Sequence, residues 1–198
     1  HPRGIGDTMY IVGFNGPPRV GKDTIANHLV KELDIWSTCA CKVSPLSMPM
    51  RLRAFAALRI RYNAETYELI KDVKQDLLGG KTLREFMILD SENFMKPTFG
   101  QKIWSRLHAA PIPRIPGVTI VPDFGFPHEP THLQDMFGVD NVLTVQVHRG
   151  DDDWKNDSRG WVTGKHLFTV NNDAGLDTID SIVHSLTTFM MDTLNWKL

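Results

Sequence analysis

The chain has 198 residues, 41% of them hydrophobic and 23% charged, with a formal net charge of −1. One globular domain with a substantial core fits that composition. The near-neutral charge argues against a nucleic-acid or membrane-surface binder, and no apolar run approaches the ~20 residues of a membrane span. No secretory signal stands out. The two cysteines, Cys39 and Cys41, are too few for a metal site or a disulfide framework, which fits a reduced, cytoplasmic setting.

Residues 1–8 show no pattern and read as an N-terminal tail or an expression remnant, with Met9 as a candidate native start. Tyr10 to Phe14 is a short apolar run, the signature of a buried strand. The loop that follows, Asn15-Gly16-Pro17-Pro18-Arg19-Val20-Gly21-Lys22-Asp23-Thr24, fits the phosphate-cradling pattern G-x-x-x-x-G-K. Asp23 stands where Ser or Thr is usual, and Thr24 comes one place late. The glycines permit backbone conformations that turn successive N–H groups toward an anion. The next helix aims its own N-terminal amides at the same point, and Ile25, Leu29 and Leu33 give that helix its apolar spacing. Lys22 is a mobile point charge for the outer phosphates. Asp23 and Thr24 supply oxygens for magnesium. The competing reading is a glycine-rich turn before an ordinary helix; strand, loop and helix together favour nucleotide binding.

Ala40 to Ser44 reads as a second strand. Pro45 to Pro49 follows as a loop closed to regular helix by its prolines. Met50 to Leu58 mixes apolar residues with Arg51 and Arg53: a surface helix, or a face that meets a phosphate. Glu65 to Leu78 has an amphipathic stripe of Ile70, Val73 and Leu77, flanked by Lys71 and Lys74 and stopped by Gly79-Gly80. Thr82-Leu83-Arg84-Glu85 has the capping-box form, and Thr98 to Gln101 repeats it ahead of Ile103, Trp104 and Leu107.

Pro111 to Pro116 is an extended proline-rich connection. Gly117 to Val121 is a third buried strand ending at Pro122-Asp123. A carboxylate at the end of a buried α/β strand lies where ligands bind, and beside a phosphate loop it is a magnesium partner; the plain alternative is a capping aspartate. A short helix covers Glu129 to Phe137 and a strand Asn141 to His148, followed by Arg149. Gly150 to Lys165, with Asp151-Asp152-Asp153 and Arg159, reads as a mobile excursion rather than packed structure. His166 to Val170 is a last strand. Asn172 then caps a long helix striped by Ile179, Ile182, Val183, Leu186, Phe189 and Met190. Strands alternating with helices, five strands in all, imply a parallel sheet with helices on both faces.

His128-Glu129-Pro130-Thr131-His132 matches the zinc-hydrolase pattern H-E-x-x-H. Pro130 is expected to open the helix, which would leave His128 outside it and break the spacing.

Several stretches together resemble the deoxynucleoside monophosphate kinases of tailed bacteriophages. They are Gly21 to Thr24 (GKDT), Lys42 to Leu46, Thr82 to Glu85, Gln101 to Leu107 with Trp104, and Val121 to Glu129 against D-x-R-F-P-N-E. Val147-His148-Arg149 and Val170 to Leu176 complete the set. The similarity runs over nearly the whole chain from Met9. It departs at Gly125, where that family has arginine, at Ile88 and Asp90-Ser91, and at Lys96; Arg51, Lys71 and Lys74 are candidates to replace the missing charge.

The resemblance implies a three-layer P-loop NTPase α/β fold over residues 9–198, with an acceptor-binding helical region at about 45–110 and a short lid at about 150–165. It implies ATP-dependent, magnesium-assisted phosphorylation of a nucleoside monophosphate in the cytoplasm, of a host cell if the protein is viral. Lys22, Asp123 and Arg149 would be catalytic. Asn15, Gly16, Pro17, Arg19, Val20, Gly21, Lys22, Asp23, Thr24 and Arg159 would hold ATP, and Asp23, Thr24 and Asp123 the magnesium. Pro45, Leu46, Arg51, Lys71, Lys74, Arg84, Trp104 and Glu129 would bind the acceptor. The sequence leaves a homodimer open. The rivals are a regulatory nucleotide-binding module and a kinase with a non-nucleotide acceptor; a GTPase fares poorly, lacking D-x-x-G and N-K-x-D.

Overall fold

The structure, a computed structural model, describes all residues except 1–7, 37–39, 113–114, 152–153 and 155–156. Residues 1–7 of the expected tail, Cys39, Pro113, Arg114, Asp152 and Asp153 therefore lie outside the described residues. The chain divides into two compact units, His1–Pro45 with Ile112–Leu198, and Leu46–Pro111.

The larger unit is built on a five-stranded sheet: β1 (Met9–Asn15), β2 (Ala40–Val43), β3 (Gly117–Phe124), β4 (Val142–His148) and β5 (His166–Asn171). All pairings are parallel, in the order β2-β3-β1-β4-β5. β1, β3 and β4 are almost wholly buried and apolar, as strands covered on both faces must be. The edge strand β5 alternates half-buried and exposed residues along most of its length. Helix α1 (Lys22–Trp36) packs against α8 (Ile179–Thr188), and α7 (His128–Phe137) packs on β1 and β4. Ile25, Leu29 and Leu33 of α1 are fully buried with Phe14, Val145 and Leu186. Each such side chain contributes roughly 1.5–3 kcal/mol by leaving water. The strand order and the loop after β1 make this a P-loop α/β fold.

Four expectations are corrected here. β3 does not stop at Pro122 but runs on to Phe124. Gly13 pairs with Val121 and Asn15 with Phe124, so β3 carries one extra residue at Pro122-Asp123. Proline, having no N–H, is accommodated inside a sheet at such a bulge. Helix α7 starts at His128, so Pro130 sits within its first turn and both histidines belong to the helix. The stretch after Arg149 is anchored at Val162, which is fully buried, its carbonyl accepting from Gln146 Nε2 at 2.9 Å. Asn172 does not cap the last helix, because a 3-10 turn (Gly175–Thr178) precedes α8 and a π-helical turn (Phe189–Thr193) ends it.

The smaller unit is helical: α2 (Met48–Ala57), α3 (Ala64–Ile70), α4 (Leu83–Asp90), α5 (Lys96–Phe99) and α6 (Ile103–Ala109). Its core gathers Phe55, Leu58, Tyr67, Leu83 and Met87. Helix α2 begins before Pro49, which occupies its first turn. The helix expected over 65–78 ends at Ile70, leaving Val73 and Leu77 exposed. The chain turns there because Gln75 pairs with Lys81, and Lys71 O accepts from Arg84 N. The Thr82–Glu85 capping box is present in both its bonds. The second box is not: Thr98 lies inside α5, and α6 starts at Ile103 without a side-chain cap.

Candidate functional site

The site is built from the carboxyl ends of the inner strands. After β1 the chain enters the loop. Gly21 takes φ +97°, and a side chain there would meet Asn172 Nδ2 at 2.4 Å, so the position needs glycine twice over. Arg19 is held at φ +69°, a conformation that costs a non-glycine residue about 1 kcal/mol or more and is retained only where the surroundings impose it. Lys22 opens α1 and curls back, its Nζ donating to Gly16 O at 2.7 Å and Pro17 O at 2.6 Å. The loop is built as an anion cradle.

Two asparagines brace this cradle. Asn15 is fully buried. Its Nδ2 donates to Phe124 O (2.8 Å) and Gly160 O (3.0 Å), and its Oδ1 accepts from Val162 N (2.8 Å). Its side chain ties β1, β3 and the 160–162 segment together. Asn172, buried at the end of β5, donates from Nδ2 to Val20 O at 2.8 Å. Its Oδ1 is buried with no hydrogen-bond partner among the described residues.

Beside the cradle lies a cavity of about 400 Å³, a volume typical of small-molecule sites. Arg19, Lys22 and Arg149 give it cations, Asp23 and Thr24 oxygens, and Leu176 and Ile179 an apolar wall. Such a lining offers positive charge to a polyphosphate. Arg149, expected over the transferring phosphate, is exposed on the Gly175 side of this cavity.

A second group of charges forms around the end of β3. Burial and the neighbouring Arg159 guanidinium push Lys22 down to about 8, against the opposing pull of Asp23, Asp123 and Asp157. Arg159 is held by Asp157, with Nη2 2.6 Å from Oδ2 and Nε 3.0 Å from Oδ1. Asp157, Asp123 and Glu129 all stabilise the Arg159 cation. Glu129 is buried, which pushes it up to about 7 even though Oε2 accepts from Gly125 N (2.6 Å) and Phe126 N (2.9 Å). Those two bonds, and the stacking of His128 on Phe126 with 5.7 Å between ring centroids, give His128 and Glu129 of the H-E-x-x-H pattern structural partners. The helix does preserve their spacing, contrary to expectation, but no group of three or more His, Cys, Asp or Glu among the described residues is arranged to hold a metal.

The oxygens of Asp23, Thr24 and Asp123 suit a hard cation such as magnesium. Since the described protein residues form no cage, magnesium would need phosphate oxygens as well, the usual way in which it is bound.

The residues expected at the acceptor are placed as follows. Pro45 ends one segment of the larger unit and is half-buried. In the smaller unit Leu46 is buried and Arg51 lies over the Tyr67 ring at 4.3 Å. Lys71 pairs with Glu68, Arg84 pairs with Asp72 at 2.6 Å, and Lys74 is exposed. Trp104 is core: 9% exposed, with Nε1 donating to Ser91 Oγ at 2.8 Å. Asn172 as a brace, Asp157 as the partner of Arg159, and the apolar wall at Leu176 were not expected from sequence. Only the last segment, Val170 to Leu176, carried a signal for two of them.

No protein-family model matches the chain, and no curated protein does. Solved structures do resemble it. One is a hexameric APS kinase from Thiobacillus denitrificans, at 13% identity and a TM-score of 0.49, over 98% of this chain and 31% of that one. Another is APE1195, at 13% identity and a TM-score of 0.45, over 95% of this chain and 98% of that one. The chain thus spans about a third of the length of the APS kinase. Likeness at this level carries no functional weight, and the fold stands on the sheet order and the cradle.

No helix among the described residues is long and apolar enough to cross a membrane.

Proposed function

We propose that the protein transfers the γ-phosphoryl group of ATP to the phosphate of a nucleoside monophosphate, with a deoxynucleotide as the expected acceptor. The observation that carries this reading is the gathering of Lys22, Arg159 and Asp123 where β1 and β3 end, beside a cavity with a cationic side and an apolar wall.

An acceptor phosphate has a second pKa of about 6, so it is largely ionised at neutral pH and needs no strong base. One of its oxygens attacks the γ-phosphorus, and the bond to the bridging oxygen breaks in line, leaving ADP with the electron pair. What the protein must supply is position and charge. Lys22 and the loop amides hold the β and γ phosphates. Arg159 neutralises charge on the group in transit. Arg149 serves the ATP side of the cavity. Bound magnesium, held through Asp23, Thr24 and Asp123, would offset charge on the phosphate oxygens. The regulatory alternative drew its support from the glycine at 125, and Arg159 beside that glycine weakens it.

The test is ADP release with ATP, magnesium and each common mononucleotide in turn. Release that depends on one or a few mononucleotides is expected, with Lys22→Ala abolishing it while melting near the parental temperature. ATP binding without acceptor-dependent release would sink the proposal.

A further inference from the structure

Gly125 is the residue just beyond β3, and it is buried. Its φ does not require glycine. The space around it does: a Cβ built there would lie 2.5 Å from Arg159 Cδ, 2.6 Å from Cγ and 3.0 Å from Cβ. The aliphatic stem of Arg159 therefore fills the volume that any other side chain at 125 would take. The backbone fixes the same arrangement, because Gly160 N donates to Gly125 O at 3.0 Å. Gly160 O accepts from Asn15, the residue before the cradle, at 3.0 Å. Arg159 is thus laid across the ends of β1 and β3, with its head gripped by Asp157 through the guanidinium and also through its own N–H at 2.9 Å.

We propose that Gly125 and Asp157 are positioning residues for Arg159: the glycine is a seat for its stem, Asp157 holds its head, and together they set a second cation beside Lys22 for a polyphosphate. This rests on the phosphotransferase reading for its purpose but not for its test. A charge delivered from a loop by a long side chain is useful only if the stem is fixed, since a free arginine loses rotamer entropy whenever it binds. The glycine is the fixing element. The cations Arg51, Lys71 and Lys74, candidates to replace the arginine missing at 125, all belong to the other unit.

The experiment is a cycle of Gly125→Ala, Arg159→Ala and the double variant, read by calorimetric titration with inorganic tripolyphosphate, by melting temperature and by ADP release. Gly125→Ala should weaken tripolyphosphate binding about tenfold and lower the melting temperature, because the new methyl displaces the stem. Arg159→Ala should weaken binding at least as much. The double variant should regain the melting temperature lost by Gly125→Ala, the stem being gone, yet bind no better than Arg159→Ala. Recovery of both quantities, or additive losses in binding, would overturn the proposal, as would parental affinity in Gly125→Ala. A parental protein that binds tripolyphosphate but releases no acceptor-dependent ADP would defeat the kinase reading and leave this one standing. A parental protein that binds no tripolyphosphate would defeat both.

Discussion

Lys22 and Glu129 are both held far from their usual ranges, and each has a consequence that can be weighed. Lys22, pushed down to about 8, is charged at neutral pH but begins to lose its proton just above it. A bound phosphate favours the ammonium form, so binding takes up a proton near pH 8. ATP affinity should fall as pH rises through 8, and titrations in buffers of different ionisation enthalpy should report the uptake; affinity constant from pH 7 to 9.5 would contradict it. Glu129 runs the other way, up to about 7 from 4.5. Between those values the unfolded chain releases a proton that the folded chain keeps. Folding stability therefore falls as pH rises through the window, by roughly 3 kcal/mol if nothing else titrates. Glu129→Gln keeps an oxygen for the Gly125 and Phe126 amides and removes the titration. Urea unfolding at pH 5 and pH 8 should show the variant losing much less between the two than its parent does.

At the scale of elements, what could be read from the sequence was what neighbours decide locally. The P-loop and α1 were legible because a few residues of set type make both the turn and the helix start. The Thr82–Glu85 box was legible because its two bonds close within four residues. Thr82→Ala should cost about 1 kcal/mol in denaturant unfolding; no change would mean that packing alone sets the start of α4. The stripe through Val73 and Leu77 misled because pairing between Gln75 and Lys81 outweighs a helical pattern in a short segment. The segment after Arg149 misled in the opposite sense, its polar residues masking Val162, which Asn15 and Gln146 hold in place.

For the whole molecule, the sheet explains why the site is where it is. The chain runs from β1 outward to β2 on one side, and from β3 past β1 to β4 on the other, and ligands settle at the carboxyl ends where such a sheet changes direction. That place was legible from strand alternation and the motif. Its bracing was not: Asn172 and Val20 touch although they are 152 positions apart, and nothing in either neighbourhood announces the other. A ligand held by ends of several strands should stabilise the whole larger unit. At an ATP concentration a hundred times its Kd the gain is about 2.7 kcal/mol, a rise of roughly 5–10 °C in melting temperature for a chain of this length. Lys22→Ala should lose most of that rise.

A strand is an alternation of two faces, and one inserted residue exchanges the faces for everything downstream. The extra residue at Pro122-Asp123 does this to the end of β3. Phe124 is brought opposite Asn15, with its ring in the space left open by Gly13, where a Cβ would lie 1.8 Å from Cε2. The parity of a single strand thus decides which side chain enters the core and which carboxylate is left at the rim. Shortening β3 by one residue there would leave every amino acid of the site in the sequence and turn them to the wrong sides.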